Sequence, residues 1–544
     1  MFDIGALPNE IFDLVIEHLI ISIGIFRAFI LRSVNKNFNS VILFAICNKQ
    51  ILDVDDPATP QLIYRMPITP KARILLVQSR SEKADRDDAL FVIATVNQAL
   101  DDLTQLTNEQ QAKQHQMIAE AVAERYPIEI LNSSKRNDDS AKTNSHAHNV
   151  LMGAIVIGNL PLVKTLLEEQ QADVNAINPY FGRPLGIAAV RGYLPIVRYL
   201  LDYGADPCRD DDGQHWCDFG IKPPICALGA AVRGGHDDVF QLLMKPEYSP
   251  SPTRAEYFRV ILDGVKFGRL QFVQSLLQAT GNQLSDYAEF GDTMFYTAVV
   301  NDQPDLVQML LDSGVDVNAA FHDRKHRHYG QILSDAASRG NPRMVRILLD
   351  HGAYVGRAEN SWHYDKSRIP IGIAAKHGHE EVVDLIFAHS PNPEFLEIAF
   401  IWAAKGGQAH LMNKLWEKDR QLHTKPWPRH MISPPRNGDI DLRRTVGLEA
   451  LYEAIFAKSP AVISLLAERG VSLNEKRLGR FLMVTAKFQS ARWIADFMVS
   501  LGAEDVDINR EDVFFDCAEE TIGKPRMRAG VYITKQTWEW GSKH

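Results

Sequence analysis

The residues best suited to chemistry in this sequence are three evenly spaced cysteines, Cys208, Cys217 and Cys226, with His215 between them. Thiolates and an imidazole can hold zinc, but a structural zinc site needs four converging ligands. The spacing here matches no finger pattern, and Cys226 stands where an apolar helical stretch begins. The cysteines therefore read as core or loop thiols, and no metal is expected. His322, His326 and His328 lie in Phe321-His322-Asp323-Arg324-Lys325-His326-Arg327-His328, a polar insertion that reads as a solvated loop. Signatures of covalent or phosphoryl-transfer chemistry are missing. There is no Gly-x4-Gly-Lys-Ser/Thr, no His-Glu-x-x-His, no Gly-x-Ser-x-Gly and no Cys-x-x-Cys. The expectation is a binding protein with no catalytic residue and no cofactor.

Composition narrows what is bound. The 544 residues carry 59 Lys and Arg against 68 Asp and Glu, a formal net charge of −9. A general nucleic-acid binder needs a basic surface to neutralise phosphates, so that class is excluded. Five cysteines in this length do not make a disulfide framework, which fits a reducing compartment, cytoplasmic or nuclear. Met1-Phe2-Asp3-Ile4-Gly5 has no basic n-region, so no secretory signal is expected. The most apolar run, Leu14 to Leu31, is interrupted by Glu17, His18 and Arg27, too often for a membrane span.

The elements that must carry any binding surface repeat along the chain. Pro184 can open a helix because its missing N–H has no partner there anyway. Ala188 and Ala189 let a neighbour approach, and Gly192 suits a chain reversal. Ile196, Val197, Leu200 and Leu201 form one face of a second helix, which Gly204 ends. The same order returns with reversal residues Gly158, Gly192, Gly234, Gly268, Asp302, Gly340 and Gly378, at intervals of 34, 42, 34, 34, 38 and 38 residues. A unit this short cannot bury its apolar face alone and needs copies on both sides.

A period near 33 with these residues resembles the ankyrin repeat, two antiparallel helices and a hairpin stacked into a solenoid. The resemblance covers roughly residues 147–505. It implies an all-α fold with short β-hairpin turns, about seven clear repeats, and degenerate ones near Ala403 to Gly407, Ala454 to Leu466 and Ala486 to Ala503. The family's Thr-Pro-Leu-His opening survives only as Arg183-Pro184-Leu185-Gly186 and Ile369-Pro370-Ile371-Gly372. Its Thr and His are missing there, so weaker hydrogen bonding between repeats is expected.

The alignment of repeats exposes a charge pattern. The two residues before each reversal lie on the inner side of the first helix, lining a concave face. Six of these pairs contribute a base, Arg191, Arg233, Lys266, Arg339, Lys376 and Lys405, and none contributes an acid. The stripe suits an acidic or phosphorylated target segment. Ordinary solvated positions, where long side chains cover small residues, are the other reading of it.

Residues 1–50 are organised differently. Pro8 and Glu10 open a helix that continues through Ile11, Leu14, Val15, His18 and Leu19; two more apolar helices follow near Ile25–Arg32 and Ser40–Ile46. A 50-residue unit is marginal by itself, and its apolar excess implies a partner. Leu7-Pro8, Glu10-Ile11, Leu14 and Leu19, with Val34-Asn35-Lys36 and Phe38, resemble the F-box, a three-helix module. That resemblance implies docking on the adaptor subunit of a Skp–cullin–F-box (SCF) ubiquitin ligase through Leu7, Pro8, Ile11, Leu14, Leu19, Val34 and Phe38. The core of a small bundle is the alternative. Residues 51–146 read as a connector: a proline-rich stretch from Asp53 to Lys71, helices at Ala89–Leu103 and Asn108–Arg125 that buttress the first repeat or belong to a degenerate first ankyrin pair, and a polar loop. Residues 506–544 form a tail without assigned structure. The chain so divided resembles an F-box protein with ankyrin repeats, which implies a substrate receptor of a cullin–RING ligase with protein partners only, neither membrane nor nucleic acid. A non-catalytic ankyrin scaffold or regulator unrelated to ubiquitination is the other expectation.

Overall fold

Proline in the first turn, an apolar face, and a left-handed residue past the end recur in helix after helix of the computed structural model. It describes residues 9–23, 36–48, 68–80, 88–104, 106–125, 146–170, 172–208, 226–251, 255–281, 288–318, 332–356, 369–426, 445–474 and 492–505. The chain forms two compact units, residues 1–282 and 283–544.

Unit 1 begins with α1 (Asn9–Ile23) packed on α2 (Lys36–Asn48). Phe12, Ile16 and Ile20, one helical turn apart on α1, are buried, as are Ile42, Ala45 and Ile46 of α2. Next come α3 (Ile68–Gln78), α4 (Asp88–Leu103) and α5 (Asn108–Arg125). Leu75, Ile93, Val96, Leu100, Ile118 and Val122 form one core with Met152 and Val156 of the first repeat, so these helices do buttress it. Helix α3 was not expected, because Pro67 and Pro70 read as connector. Pro70 falls in the first turn of α3, where backbone N–H groups have no intrahelical acceptor and proline is harmless.

The helix pairs of unit 1 are α6 (His146–Val156) with α7 (Leu160–Gln170), α8 (Pro184–Arg191) with α9 (Leu194–Asp202), α10 (Ala227–Gly234) with α11 (Asp237–Leu243), and α12 (Ala255–Lys266) with α13 (Leu270–Ala279). First helices pack on first helices, from α6 to α12. Unit 2 repeats the arrangement in α14 (Ala288–Val300) and α15 (Pro304–Asp312), α16 (Ile332–Arg339) and α17 (Pro342–Asp350), α18 (Pro370–His377) and α19 (Glu380–His389), α20 (Pro393–Lys405) and α21 (Ala409–Lys418), and α22 (Val446–Phe456) and α23 (Pro460–Glu468), with α24 (Arg492–Ser500) last. The expected hairpins reduce, among the described residues, to isolated bridges at Asn178–Gly182 and Pro426–Thr445.

The reversals occur at the expected residues with one correction. Asp302, the one non-glycine expected, is left-handed with φ 57°. At the third helix pair the left-handed residue is Gly235 (φ 80°), not Gly234. Gly234 is the last residue of α10, where a Cβ would stand 2.3 Å from the Val190 carbonyl oxygen. Both glycines are needed, one for the turn and one for close approach, and only the packing assigns the roles.

Ties between repeats are present at a position the sequence did not suggest, the residue just after the reversal. In unit 1 the Tyr193 hydroxyl donates to Val156 O at 3.3 Å, His236 Nε2 to Val190 O at 3.1 Å, and Arg269 Nη2 to Arg233 O at 3.2 Å. In unit 2 His379 Nε2 donates to Ser338 O at 3.1 Å and Gln408 Nε2 to Lys376 O at 3.4 Å. Each side chain reaches the end of the preceding repeat's first helix, whose last carbonyls lack intrahelical donors. The loops add a second tie. Asn175 Nδ2 donates to Gly204 O at 2.9 Å while its Oδ1 accepts from Asp206 N at 2.8 Å, and Asn318 and Asn474 do the same for Gly352 with Tyr354 and Gly502 with Glu504. The expectation of weaker ties, drawn from the absent Thr and His, is thereby corrected: the donors have moved to the second helix and the loop. A His379→Ala change is expected to destabilise unit 2 by about 1 kcal/mol, and His379→Gln to recover most of that, in urea titrations of the full chain.

Candidate protein-interaction surfaces

Helix α1 is apolar on both sides, and among the described residues only one side packs against another helix. Opposite Phe12, Ile16 and Ile20, the side chains of Ile11, Leu14 and Val15 are 48%, 55% and 42% exposed, and Phe44 of α2 is 42% exposed. Two exposed aliphatic residues a turn apart, with a third between them, make a patch that water solvates poorly. Of the residues expected to dock an adaptor, Ile11 and Leu14 are on this patch and Leu19 is half-buried. Leu7, Pro8 and Val34 lie outside the described residues; Phe38 belongs to α2, its side chain outside them too. Phe44 was missed by sequence reasoning. The signal for it was the excess of apolar residues in α2, which no single helical face could absorb.

The basic stripe divides by unit. In unit 1, Arg191 ends α8, Arg233 precedes the last residue of α10, and Lys266 ends α12. Arg191 Nη2 is 3.7 Å from Glu124 Oε2 of α5, and Arg233 Nη2 is 3.2 Å from Asp263 Oδ2 of α12. Burial raises the pKa of both carboxyls, and the facing guanidiniums offset part of that rise. Phe267, 38% exposed, carries Arg233 Cζ 5.3 Å and Lys266 Nζ 5.8 Å from its ring centre. Unit 1 thus presents alternating charges with an aromatic at one end. In unit 2, Lys405 pairs with Glu453 at 3.2 Å and lies 5.2 Å from the Trp402 ring centre. Arg339 is exposed and Lys376 half-buried. Sequence reasoning found the bases and missed Glu124, Asp263 and Glu453. Asp263 stands one turn before Lys266, and only packing brings an acid opposite a base of another helix.

The remaining candidate residues fall into structural roles or outside view. Cys208 Sγ donates to Tyr248 O at 3.4 Å, and Cys226 is buried. His215, Cys217, His322, His326 and His328 lie outside the described residues. Trp416 Nε1 donates to His423 at 3.3 Å, and Arg469 Cζ sits 4.0 Å from a Trp416 ring centre, so this indole is held within the stack. Among the described residues no three His, Cys, Asp or Glu side chains converge as a metal site, and no helix is long and apolar enough to cross a membrane.

Comparison with known proteins matches these elements. The family profile "Ankyrin repeats (3 copies)" matches residues 118–211 and 261–359. The first segment begins inside α5, so the family signal takes in part of the buttress, and residues 1–50 lie outside both segments. The ankyrin repeat and KH domain-containing protein mask-1 of Caenorhabditis elegans is 28% identical over 389 residues, covering 69% of this chain. The ankyrin repeat, SAM and basic leucine zipper domain-containing protein 1 of Nomascus leucogenys is 34% identical over 116 residues, 20% of this chain. The chain spans only 13% and 22% of those relatives' lengths. The crystal structure of the human ASB11 ankyrin repeat domain aligns with 43% of this chain and 96% of that one, at 23% identity and a TM-score of 0.31. Paired helices, left-handed reversals at a period near 33 and the matched repeats make this an all-α ankyrin-repeat protein, built from modules whose use is protein–protein interaction.

Proposed function

We propose that the chain is the substrate-receptor subunit of an SCF-type ubiquitin ligase, working in a cytoplasmic or nuclear compartment. Its N-terminal module docks the adaptor and its ankyrin repeats hold the target. The observation that carries the reading is the exposed apolar side of α1, with Ile11 48% and Leu14 55% exposed while Phe12 and Ile16 hold the helix in place. An F-box needs that division of labour, one face for its own core and one for the adaptor. In this reading the chain is non-catalytic. It contributes proximity, holding target lysines near a ubiquitin-loaded enzyme, and the rate gain comes from orientation rather than a reacting residue. The basic positions Arg191, Arg233, Lys266, Arg339, Lys376 and Lys405 form the target side.

A second reading is a scaffold unrelated to ubiquitination. What favours it is that the family match covers the repeats and leaves residues 1–50 out. One experiment separates the two: immobilised full-length protein is offered purified SCF adaptor subunit. Saturable capture supports the receptor; no capture leaves the scaffold, with another owner for the apolar face of α1.

A further inference from the structure

The bases that close the first helices differ in what stands opposite them. Arg191 faces Glu124, Arg233 faces Asp263 and Lys405 faces Glu453. Arg339 of α16, Lys376 of α18 and Lys266 of α12 have no carboxylate at ion-pairing distance among the described residues. A cation at a helix C-terminus is stabilised by the helix dipole wherever it occurs. That accounts for a base at each of these ends, but not for the lack, among the described residues, of a facing acid at Arg339 and Lys376, whereas Lys266 lies beside the Phe267 ring.

The two bases belong to one place in unit 2. Helices α16 and α18 pack side by side. His379, just after the reversal that ends α18, donates to Ser338 O at 3.1 Å, next to Arg339. Its ring lies so near Gly340 that a Cβ there would be 2.3 Å from Nδ1. The His377 ring stacks on it, with centroids 5.9 Å apart and planes at 24°. Arg339, Lys376 and His377 therefore gather at the adjoining ends of two packed helices. Desolvation lowers the His377 pKa, and the nearby Lys376 and His379 lower it further.

We propose that Arg339, Lys376 and His377 form a subsite for a phosphorylated serine or threonine of a bound target peptide. A guanidinium offers a planar fork, an ammonium a point charge and an imidazole a single N–H. A phosphate carries about −1.5 to −2 charges and three strong acceptor oxygens, enough for all three, whereas one carboxylate satisfies a single fork. The site uses the chemistry that Glu124, Asp263 and Glu453 supply internally elsewhere, with the anion brought by the target. This deepens the receptor reading and rests on it only for the origin of the peptide.

The test uses purified full-length protein without adaptor. It is passed over immobilised degenerate peptides centred on phosphoserine and phosphothreonine, and over matched libraries centred on serine and on glutamate. Retention by the phosphorylated libraries alone is expected. The Arg339→Gln/Lys376→Gln variant should lose about tenfold or more of it, and Arg339→Gln by itself part of it. Arg343→Gln/Arg346→Gln, on the outer helix α17, removes the same charge from exposed positions and should retain it. Melting temperatures of all variants near that of the wild type exclude unfolding as the cause. Equal retention by the serine or glutamate libraries, or by the double variant at the subsite, overturns the proposal. Adaptor capture is measured separately, so that outcome beside intact capture overturns the phosphate subsite and leaves the receptor reading standing.

Discussion

A full-length Ile11→Asp/Leu14→Asp variant is expected to lose adaptor capture while melting with the wild type. Both side chains are about half exposed, at 48% and 55%, so a carboxylate at either position remains in water in the free protein. Exposed substitutions of this kind change stability by no more than about 0.5 kcal/mol. In a docked complex the balance reverses. Each lost aliphatic contact forfeits about 1.5–3 kcal/mol of burial, and two carboxylates must also be desolvated. A combined loss above about 4 kcal/mol is a factor of roughly a thousand in affinity, which a pull-down reads as no capture. Ile16→Asp is the control. Ile16 is 1% exposed, so its carboxylate would be buried beside α2, and capture should disappear together with the cooperative melting of the N-terminal module. Capture retained by the double variant would sink the receptor reading, because it would remove the exposed face of α1 from the interface.

The second large effect concerns the seam between α18 and α20. Gly406 has an ordinary helical conformation, φ −87° and ψ −4°, so its backbone alone would accept any residue. Its neighbour does not. A Cβ at Gly406 would lie 1.8 Å from the Lys376 carbonyl oxygen and 2.7 Å from that carbonyl carbon. Both are backbone atoms in a packed helix and cannot swing aside, so α20 must withdraw from α18. Gly406→Ala is expected to destabilise unit 2 by about 3 kcal/mol, at the upper end for one added methyl in a filled space. Gly470→Ala is the opposite case. Gly470 is left-handed, with φ 86°, and a Cβ there meets nothing within 4 Å. Only the conformational penalty remains, about 1–2 kcal/mol. Urea titration of the two variants should rank Gly406→Ala as the more damaging. The reverse ranking would mean that α18 and α20 are not in the close contact described.

How far the sequence could be read depended on whether the cause of a feature was local. Asp302 was legible as a reversal because the apolar pattern on both sides left it no other place. Pro184 was legible as a helix opener because a missing N–H matters only past the first turn, and the structure places Pro304, Pro342 and Pro370 in first turns by the same rule. The same rule should have allowed α3, whose Pro70 also sits in a first turn, but a proline on either side of its start outweighed the short apolar run Ile74-Leu75-Leu76.

The sequence by itself determined the repeat, the helix pairs and the reversals, because each follows from side-chain period, proline and glycine within about twenty residues. It also determined that α1 has more apolar surface than one face can hide. Only the tertiary structure decided which side of α1 stays exposed, since Ile11, Leu14, Phe12 and Ile16 are equally apolar and only the position of α2 distinguishes them. It alone assigned Gly235 to the turn and Gly234 to the contact with Val190, because both roles exclude a side chain. And it alone paired Arg191 with Glu124 and Arg233 with Asp263 while leaving Arg339 and Lys376 with no acid at ion-pairing distance among the described residues. The partners of those charges come from neighbouring helices tens of residues away, and which residues a stack brings together is fixed by packing.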